Sequence, residues 1–216
     1  MQKKPVFINQ HIYHVFNKSI ANFGIFKNHD FCYRFIQTVN YYNNQIVLKS
    51  FSEYLEKNKT YEFENLLIPK AYCIIKILSY CIMPDHYHLL IKILSETNIS
   101  QYISNIENSY TRYFNIRMNR KGPLWQSRFK AVRIKTNQQF LHTHRYIHLN
   151  PTTSNLVETP EDWEFSSYKD FITDEKYLKD IVTEISIRDI KQYKKFVDDQ
   201  KDYQRKLKLI KKLIIE

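Results

Sequence analysis

Glycine is almost absent from this sequence, which contains only two glycines in 216 residues. Phosphate-binding loops of the Walker type and of the dinucleotide-binding type are built around several closely spaced glycines. Neither pattern occurs along the chain. The composition therefore argues against a nucleotide-binding loop of either kind.

Cysteine and long apolar runs are scarce as well. The three cysteines, Cys32, Cys73 and Cys81, are an odd number and lack the tight spacing of a disulfide framework or a zinc knuckle. Free thiols of this kind are typical of a reducing compartment. No stretch approaches the roughly 20 apolar residues of a membrane span, and the N-terminal residues contain no apolar run of the signal-peptide kind. We therefore expect a cytoplasmic protein with no membrane partner.

Acidic residues are outnumbered by basic ones, with 22 Asp and Glu against 33 Lys and Arg, which gives a formal net charge of +11. A surplus of this size attracts polyanions. Residues 101–150 contain nine basic side chains and a single acid, Glu107. Aromatic residues are interleaved with them, a composition typical of surfaces that bind single-stranded nucleic acid. A solvated basic face above core aromatics explains the same composition equally well.

The hydrophobic pattern predicts seven elements of secondary structure. They are a strand at residues 9–18, a helix at 28–44, strands at 71–82 and 86–93, a helix at 98–117, a strand at 127–134 and a helix at 137–149. Asn150-Pro151 is expected to end the last helix, because the residue before a proline disfavours helical geometry. This order predicts an α+β fold of the ferredoxin-like or RRM-like kind, with an antiparallel sheet and helices packed mainly on one face.

Two segments fall outside this pattern. Residues 45–70 are charged, carry no repeated motif and are interpreted as an insertion. Residues 172–216 are predicted to form a helical, basic C-terminal extension to a domain that covers residues 1–171. The last stretch, residues 205–216, is amphipathic and suited to packing on the domain, pairing with a partner or contacting nucleic acid.

Two histidines stand two residues apart in the strand predicted at 86–93. Side chains at positions i and i+2 of a strand point to the same face, so His86 and His88 present two imidazoles side by side. Paired imidazoles can hold a divalent metal ion. A His-x-His pair also arises by chance and in zinc enzymes of other folds, so the pair alone does not decide its role.

The helix predicted at 137–149 and the strand before it carry polar and aromatic candidates. His142, Tyr146 and Asn150 are spaced by four residues and project from the side of the helix that is away from its apolar centre. A tyrosine at a helix edge, with a packed ring and a solvated hydroxyl, gives the same pattern. Trp125 and Arg128 have the chemistry to stack a base and bind a phosphate, or they are a core indole and a surface guanidinium.

Six ordered motifs resemble the tyrosine transposases of the HUH superfamily, the single-tyrosine group that includes the IS200-like and REP-associated tyrosine transposases. The motifs are Tyr13 to Lys18, Ala71 to Ile91 around Met83-Pro84-Asp85-His86-Tyr87-His88, Tyr110 to Asn115, Gly122 to Phe129, Arg145 to Pro151 and Trp163 to Tyr168. The resemblance covers about residues 5–171 and is specific, because all six motifs recur in order. Residues 45–70 look like an insertion relative to the family pattern.

The resemblance implies a site as well as a fold. His86 and His88 are expected on a central strand, where they would hold Mg²⁺ or Mn²⁺ together with Asn150. The family pattern places the catalytic tyrosine in the motif matched by Tyr146. Tyr110 is the rival nucleophile, in a motif-like helix of its own. We prefer Tyr146, because Asn150 one helical turn away would join nucleophile and metal on one face.

The activity implied by the resemblance is metal-dependent nicking and transfer of single-stranded or hairpin DNA through a 5′-phosphotyrosine. The alternatives are a non-catalytic nucleic-acid-binding module of the same fold and a metal-dependent nuclease that uses water. A homodimer is left open, because related enzymes include both dimers that share active sites and monomers. The side chains expected to contact DNA are Arg112, Arg117, Arg120, Lys121, Trp125, Arg128, Lys130, Arg133 and Arg145.

Overall fold

Four antiparallel strands form the centre of the molecule. A computed structural model describes residues 6–69, 71–95, 98–182, 187 and 189–201. The strands are β1 (Ile12–Lys18), β2 (Ile75–Met83), β3 (His86–Ile93) and β4 (Lys130–Ile134). Their order in the sheet is β2-β3-β1-β4, and every neighbouring pair is antiparallel. The predicted hairpin is confirmed, because β2 and β3 are joined by a turn at Pro84-Asp85.

Seven helices surround the sheet in the described part of the chain. They are α1 (His29–Tyr42), α2 (Phe51–Asn58), α3 (Ile99–Arg117), α4 (Asn137–Thr153), α5 (Tyr168–Thr173), α6 (Glu175–Val182) and α7 (Ile190–Asp198). Side-chain caps fix the start of the three helices nearest the sheet, because the side chains of Asn28, Asn98 and Thr136 each accept a hydrogen bond from a backbone amide of the first turn. None of the described helices combines the length and apolar character needed to cross a membrane.

The helices are divided between the two faces of the sheet. Consecutive strand residues point to opposite faces, and Tyr87 and His88 mark the two sides. On the Tyr87 side lie α1, whose Phe35 ring is 4.9 Å from that of Tyr87, and α3, whose Glu107 accepts a 2.8 Å hydrogen bond from the Tyr87 hydroxyl. On the other side lies α4, whose Tyr146 ring is 5.5 Å from that of His88. The α+β, ferredoxin-like prediction is confirmed, and α4, with α5 and α7 packed against it, lies on the opposite face from α1 and α3.

The end of α4 corrects the prediction of a helix that stops at residue 149. The helix continues to Thr153, with Pro151 inside its last turn. The turn is buried against the rest of the molecule, and this packing outweighs the local preference of the residue before a proline. A backbone hydrogen bond of 3.0 Å from Ser154 N to the carbonyl of Asn150 closes the turn.

Part of the predicted C-terminal extension packs on the domain. The expected boundary after residue 171 falls within α5, and Tyr193 of α7 is buried with its hydroxyl 2.5 Å from Nδ1 of His148 on α4. The described residues after the boundary are largely helical, as expected. The amphipathic stretch 205–216 lies outside the described residues. The division into a domain and an extension remains a prediction.

The outer edge of β2 is covered by the segment that precedes α5. Ile82 N donates to the carbonyl of Phe165 at 2.8 Å, and Ser167 N donates to the carbonyl of Tyr80 at 3.0 Å. The indole of Trp163 also donates to the carbonyl of Ile82 at 3.0 Å. This short stretch therefore satisfies backbone groups that an edge strand would otherwise leave to solvent.

Candidate functional site

A pocket of about 230 Å³ opens on the α4 side of the sheet. Its walls come from the ends of β1 and β3, from the segment that leads into β4 and from α4. The residues that line it are Phe16, Asn17, Lys18, His86, His88, Gln126, Ser127, Lys130 and Tyr146. The pocket thus contains two of the predicted metal ligands and the predicted nucleophile, together with two lysines and no carboxylate.

The two histidines of β3 lie on one face of the strand, as their spacing predicts. The ring centroids of His86 and His88 are 5.0 Å apart, and the ring planes meet at 85°. A metal ion bound by imidazole lies about 2 Å from each ligand nitrogen. Rings at this separation can therefore each turn one nitrogen toward a shared ion.

His88 is held by a third histidine. Nδ1 of His88 lies 2.9 Å from Nε2 of His14 on β1. Nε2 of His88 is buried and has no hydrogen-bond partner. Burial lowers the pKa of His88 and brings the pKa of His14 down to about 4, so both rings are neutral at pH 7. One of the two neutral rings therefore donates its N–H to the other, and Nε2 of His88 remains without a partner beside the pocket.

His86 is oriented by the residue before it. Nδ1 of His86 lies 2.5 Å from a carboxylate oxygen of Asp85, whose other oxygen lies 3.3 Å from the Lys18 ammonium. Burial opposes ionisation of Asp85, but the hydrogen bond with His86 and the nearby Lys18 outweigh it and lower its pKa. Since the carboxylate is an acceptor, Nδ1 of His86 donates to it. Nε2 is then the ring nitrogen that can accept a ligand bond.

Tyr146 reaches the pocket from α4. Its side chain is 40% exposed, and its ring meets the His88 ring at 79°. Burial of the ring raises the pKa of Tyr146, and the nearby Asn150 side chain acts in the opposite direction. Asn150 itself is buried one turn further along α4, and its amide nitrogen has no hydrogen-bond partner. Tyr146 is therefore reachable from solvent, whereas Asn150 is buried and is not among the residues that line the pocket.

Tyr110, the rival nucleophile, lies elsewhere. It is fully buried on α3, on the opposite side of the sheet from the pocket. Its hydroxyl donates a 2.7 Å hydrogen bond to the carbonyl of Ile25, and burial raises its pKa. No described feature brings this hydroxyl to solvent or to the two histidines.

The predicted DNA-binding residues fall into separate groups. Lys130 lines the pocket, and Arg128 is exposed just before it. Arg133 is exposed on β4 but pairs with Tyr13, so it points to the other face of the sheet. Four other predicted DNA-binding residues are exposed or partly exposed on α3 and the turn after it, in the layer opposite the pocket. They are Arg112, Arg117, Arg120 and Lys121.

The structure does not present Trp125 or Arg145 to a ligand. The Trp125 ring packs against that of Tyr87 at 5.6 Å, and its indole nitrogen donates to the carbonyl of Glu107. Arg145 is 7% exposed, and its guanidinium lies 4.3 Å from the ring of Phe196 on α7. Both side chains are therefore engaged within the protein, the first in the core and the second between α4 and α7.

Sequence reasoning missed several residues that line the pocket. They are Phe16, Asn17, Lys18, Gln126 and Ser127. All of them lie within motifs that carry the family resemblance, but their distance from His88 along the sequence does not predict that they lie near it. The register of the strands brings them together. Because β1 lies between β3 and β4, Phe16 lies opposite both His88 and Lys130.

The donor set for a metal is small. Among the described residues, no group of three or more His, Cys, Asp or Glu side chains is placed to hold a metal ion. A site here would have to use the two imidazoles of His86 and His88 with an oxygen from another kind of side chain, such as the Asn150 amide. The unpartnered Nε2 of His88 is compatible with such a site.

Known proteins share this sequence pattern and this fold. A REP-associated tyrosine transposase assigned in Haemophilus influenzae is 27% identical over 139 residues, which cover 60% of this chain and 72% of that protein. A solved structure of a REP-associated tyrosine transposase bound to a REP hairpin aligns with a TM-score of 0.55 at 14% identity, over 79% of this chain and 84% of the other. The profile of the IS200-like transposases matches residues 29–150, more than half of the sequence. The chain therefore belongs to the IS200-like transposase family.

Proposed function

We propose that the protein is a metal-dependent enzyme that nicks and rejoins single-stranded DNA through a 5′-phosphotyrosine on Tyr146. One observation carries the proposal: the accessible phenol of Tyr146 lies beside His88 and shares a pocket with His86, and each histidine has a ring nitrogen free to bind a metal. Family membership supports DNA processing of this general kind. The lysines that line the pocket favour a phosphate ligand.

His86, His88 and Asn150 are the residues we propose to hold Mg²⁺ or Mn²⁺. Neutral imidazoles and an amide oxygen accept several divalent ions, so the ligand set does not select one metal. A bound divalent ion would polarise the scissile phosphate and stabilise the charge that develops on it. Asp85 and His14 are positioning residues, because each engages Nδ1 of one ligand histidine and leaves Nε2 for the metal.

Tyr146 is the proposed nucleophile. Its phenolic oxygen attacks the phosphorus and loses its proton to solvent, while the bond from phosphorus to the 3′ oxygen breaks. The departing 3′ oxygen takes up a proton and leaves as a hydroxyl. The 5′ phosphate remains on Tyr146, so a second 3′ hydroxyl can displace the tyrosine and reseal the strand without ATP. A reaction that needs no ATP agrees with the lack of a nucleotide-binding motif in the sequence.

The proposed substrate is single-stranded DNA beside a hairpin. The structural relative in the comparison is bound to a REP hairpin. In this chain the open pocket suits a single strand, whereas the exposed basic residues on α3 lie in another layer and could contact a folded part of the same substrate. We therefore assign cleavage to the pocket and hairpin contacts to the wider basic surface.

A denaturing gel with end-labelled single-stranded DNA tests the proposal. Wild-type protein with Mn²⁺ should yield a DNA–protein adduct that survives denaturant and maps to the peptide containing Tyr146. The variant Tyr146→Phe removes one oxygen and should abolish the adduct while it still binds DNA. Tyr110→Phe is the matched control and should keep the adduct.

The other outcomes point to the competing functions. A nick without an adduct, unaffected by Tyr146→Phe but lost in His86→Ala, would identify a nuclease that uses water. DNA binding without cleavage under any metal would identify a binding module. An adduct that persists in Tyr146→Phe and disappears in Tyr110→Phe would show that the nucleophile had been assigned to the wrong tyrosine.

A further inference from the structure

Helix α4 leaves part of the sheet face that carries the pocket uncovered. Tyr146 of α4 lies beside His88 of β3 and His14 of β1, and the neighbouring α4 residues contact β2. The uncovered part is at β4, where Lys130 is exposed and the exposed fraction of Val132 is 53%. Three cross-strand pairs join β4 to β1 on this face: Ile12 with Ile134, His14 with Val132 and Phe16 with Lys130.

Phe16 stands at the border between the uncovered part of β4 and the pocket. Its half-buried ring has its centroid 4.8 Å from that of His14 and 5.7 Å from that of His88. It also lines the pocket together with Tyr146. On the wall of the pocket that contains Tyr146, the protein thus presents an aromatic ring that is not part of the hydrophobic core.

We infer that Phe16 stacks a nucleobase next to the scissile phosphate, while Lys130 binds the phosphate of that nucleotide and Val132 continues the surface under the next base. Aromatic rings that alternate with basic side chains along a sheet are a common platform for single strands. This inference rests on the proposed function, because it extends the path of the same DNA strand away from Tyr146.

The chemistry of the border favours a single-stranded nucleic acid over other occupants. Lys18 and Lys130 line the pocket beside Phe16, and Arg128 is exposed between the turn and β4. Gln126 and Ser127 add hydrogen-bonding groups, and no carboxylate lines the pocket. An apolar protein segment could pack against the Phe16 ring but would leave Lys130 and Arg128 without counter-charges. A single DNA strand satisfies both.

Fluorescence anisotropy with a short labelled oligothymidylate tests the inference. The full-length protein is used in the presence of a chelator, so that binding is measured without cleavage. Phe16→Ala should weaken binding roughly 5- to 150-fold, because removal of a stacking ring costs about 1–3 kcal/mol per base. Phe16→Trp should retain affinity, and Phe16→Leu, which keeps apolar volume without a π face, should resemble Phe16→Ala.

A second probe separates stacking from a structural role. An oligomer of the same length made of abasic sugar-phosphate units keeps the phosphates and lacks the bases. Wild-type protein should prefer oligothymidylate over this oligomer, and Phe16→Ala should lose most of that preference. Lys130→Ala should weaken binding to both probes. Tyr33→Ala, which removes a 44% exposed ring on α1, is the control and should change neither.

Two results would overturn the inference: unchanged oligothymidylate binding by Phe16→Ala and Phe16→Leu, or an equal loss on both probes. Failure of the proposed function gives a different pattern. If wild-type protein forms no adduct at Tyr146 yet its preference for bases depends on Phe16, the binding surface stands and the chemistry is wrong. If the adduct forms and Phe16 makes no difference, the strand leaves the pocket by another route.

Discussion

The imidazole of His14 on β1 hydrogen-bonds that of His88 on β3, with 2.9 Å between Nε2 of His14 and Nδ1 of His88. The two residues belong to neighbouring strands, and His14 pairs directly with Leu90, so the contact is diagonal across the sheet. One ring must donate and the other accept. If Nε2 of His88 accepts a metal, the proton of His88 is on Nδ1 and His14 is the acceptor.

We expect His14→Ala to weaken metal binding without removing a ligand. Loss of the acceptor frees the His88 ring to rotate and to change tautomer, and lost partners of this kind typically lower metal affinity about 10- to 100-fold. The measurement is Mn²⁺ binding by electron paramagnetic resonance in the absence of DNA. His14→Gln keeps an acceptor and should restore part of the affinity.

The control for this experiment is His29→Ala. His29 is an exposed histidine on α1 that contacts Glu164, and its loss should not alter Mn²⁺ affinity. Equal Mn²⁺ affinity in wild-type protein and His14→Ala would mean that His14 does not position His88.

Tyr193→Phe should destabilise the protein although Tyr193 lies far along the chain from the sheet. Its hydroxyl lies 2.5 Å from Nδ1 of His148 and 2.9 Å from Nδ1 of His144, both on α4. Removal of one oxygen leaves two buried ring nitrogens without this partner, which should lower the free energy of unfolding by roughly 2 kcal/mol or more. Urea denaturation measures the loss.

Tyr33→Phe provides the matched comparison, because Tyr33 lies on α1 and is 44% exposed, whereas Tyr193 is buried. It should change the free energy of unfolding by less than about 0.5 kcal/mol. If both variants were equally stable, α7 would contribute little to the position of α4.

Glu107 makes stability depend on pH in an unusual direction. Burial raises its pKa from 4.5 to about 7, although Asn17 and Tyr87 donate hydrogen bonds that oppose the shift. The folded state therefore holds this proton more tightly than the unfolded state. Its stabilising effect is complete below about pH 4.5 and is lost as the pH rises through 7.

Glu107→Gln should remove this dependence, because the amide oxygen can accept both hydrogen bonds and does not ionise. A difference of one pKa unit between the folded and unfolded states corresponds to about 1.4 kcal/mol of stability. Between pH 4.5 and 8, the free energy of unfolding of the wild type should therefore fall by roughly 3 kcal/mol relative to that of the variant. Urea denaturation at the two pH values measures the difference. Parallel curves for the two proteins would contradict the assignment.

Salt dependence should distinguish the two basic surfaces. Binding of oligothymidylate should weaken with added salt, and Lys130→Ala should reduce the slope of log affinity against log salt by about 0.7. Arg117→Ala should not alter that slope, because Arg117 lies on α3 in the opposite layer. With a hairpin probe, both variants should reduce the slope. An effect of Arg117 on the short single strand would place that strand outside the pocket.

Local patterns predicted much of the fold. The alternation in β3 and the Pro84-Asp85 turn define the hairpin, and the spacing of His86 and His88 places both rings on one face. The order of elements also predicts the ferredoxin-like sheet. These features depend on residues close in sequence, so they can be read before any long-range contact is known.

The remaining features depend on contacts that no local pattern encodes. Phe16 and Lys18 reach the pocket only because β1 pairs with β3 in one particular register. Arg145 looks like a DNA ligand in the sequence, but Phe196, which lies 51 residues later, covers it. The continuation of α4 through Pro151 likewise follows from burial rather than from propensity.

Residues 165–167 close the outer edge of β2, whereas no described strand pairs with the outer edge of β4. Strand addition between molecules would therefore have to use β4, which is five residues long. Lys130 and Arg133 are exposed on opposite faces of this strand, and charged side chains on a short edge strand disfavour its pairing with another chain. Both edges thus discourage chain-to-chain growth of the sheet, and a homodimer would have to assemble through helices or loops.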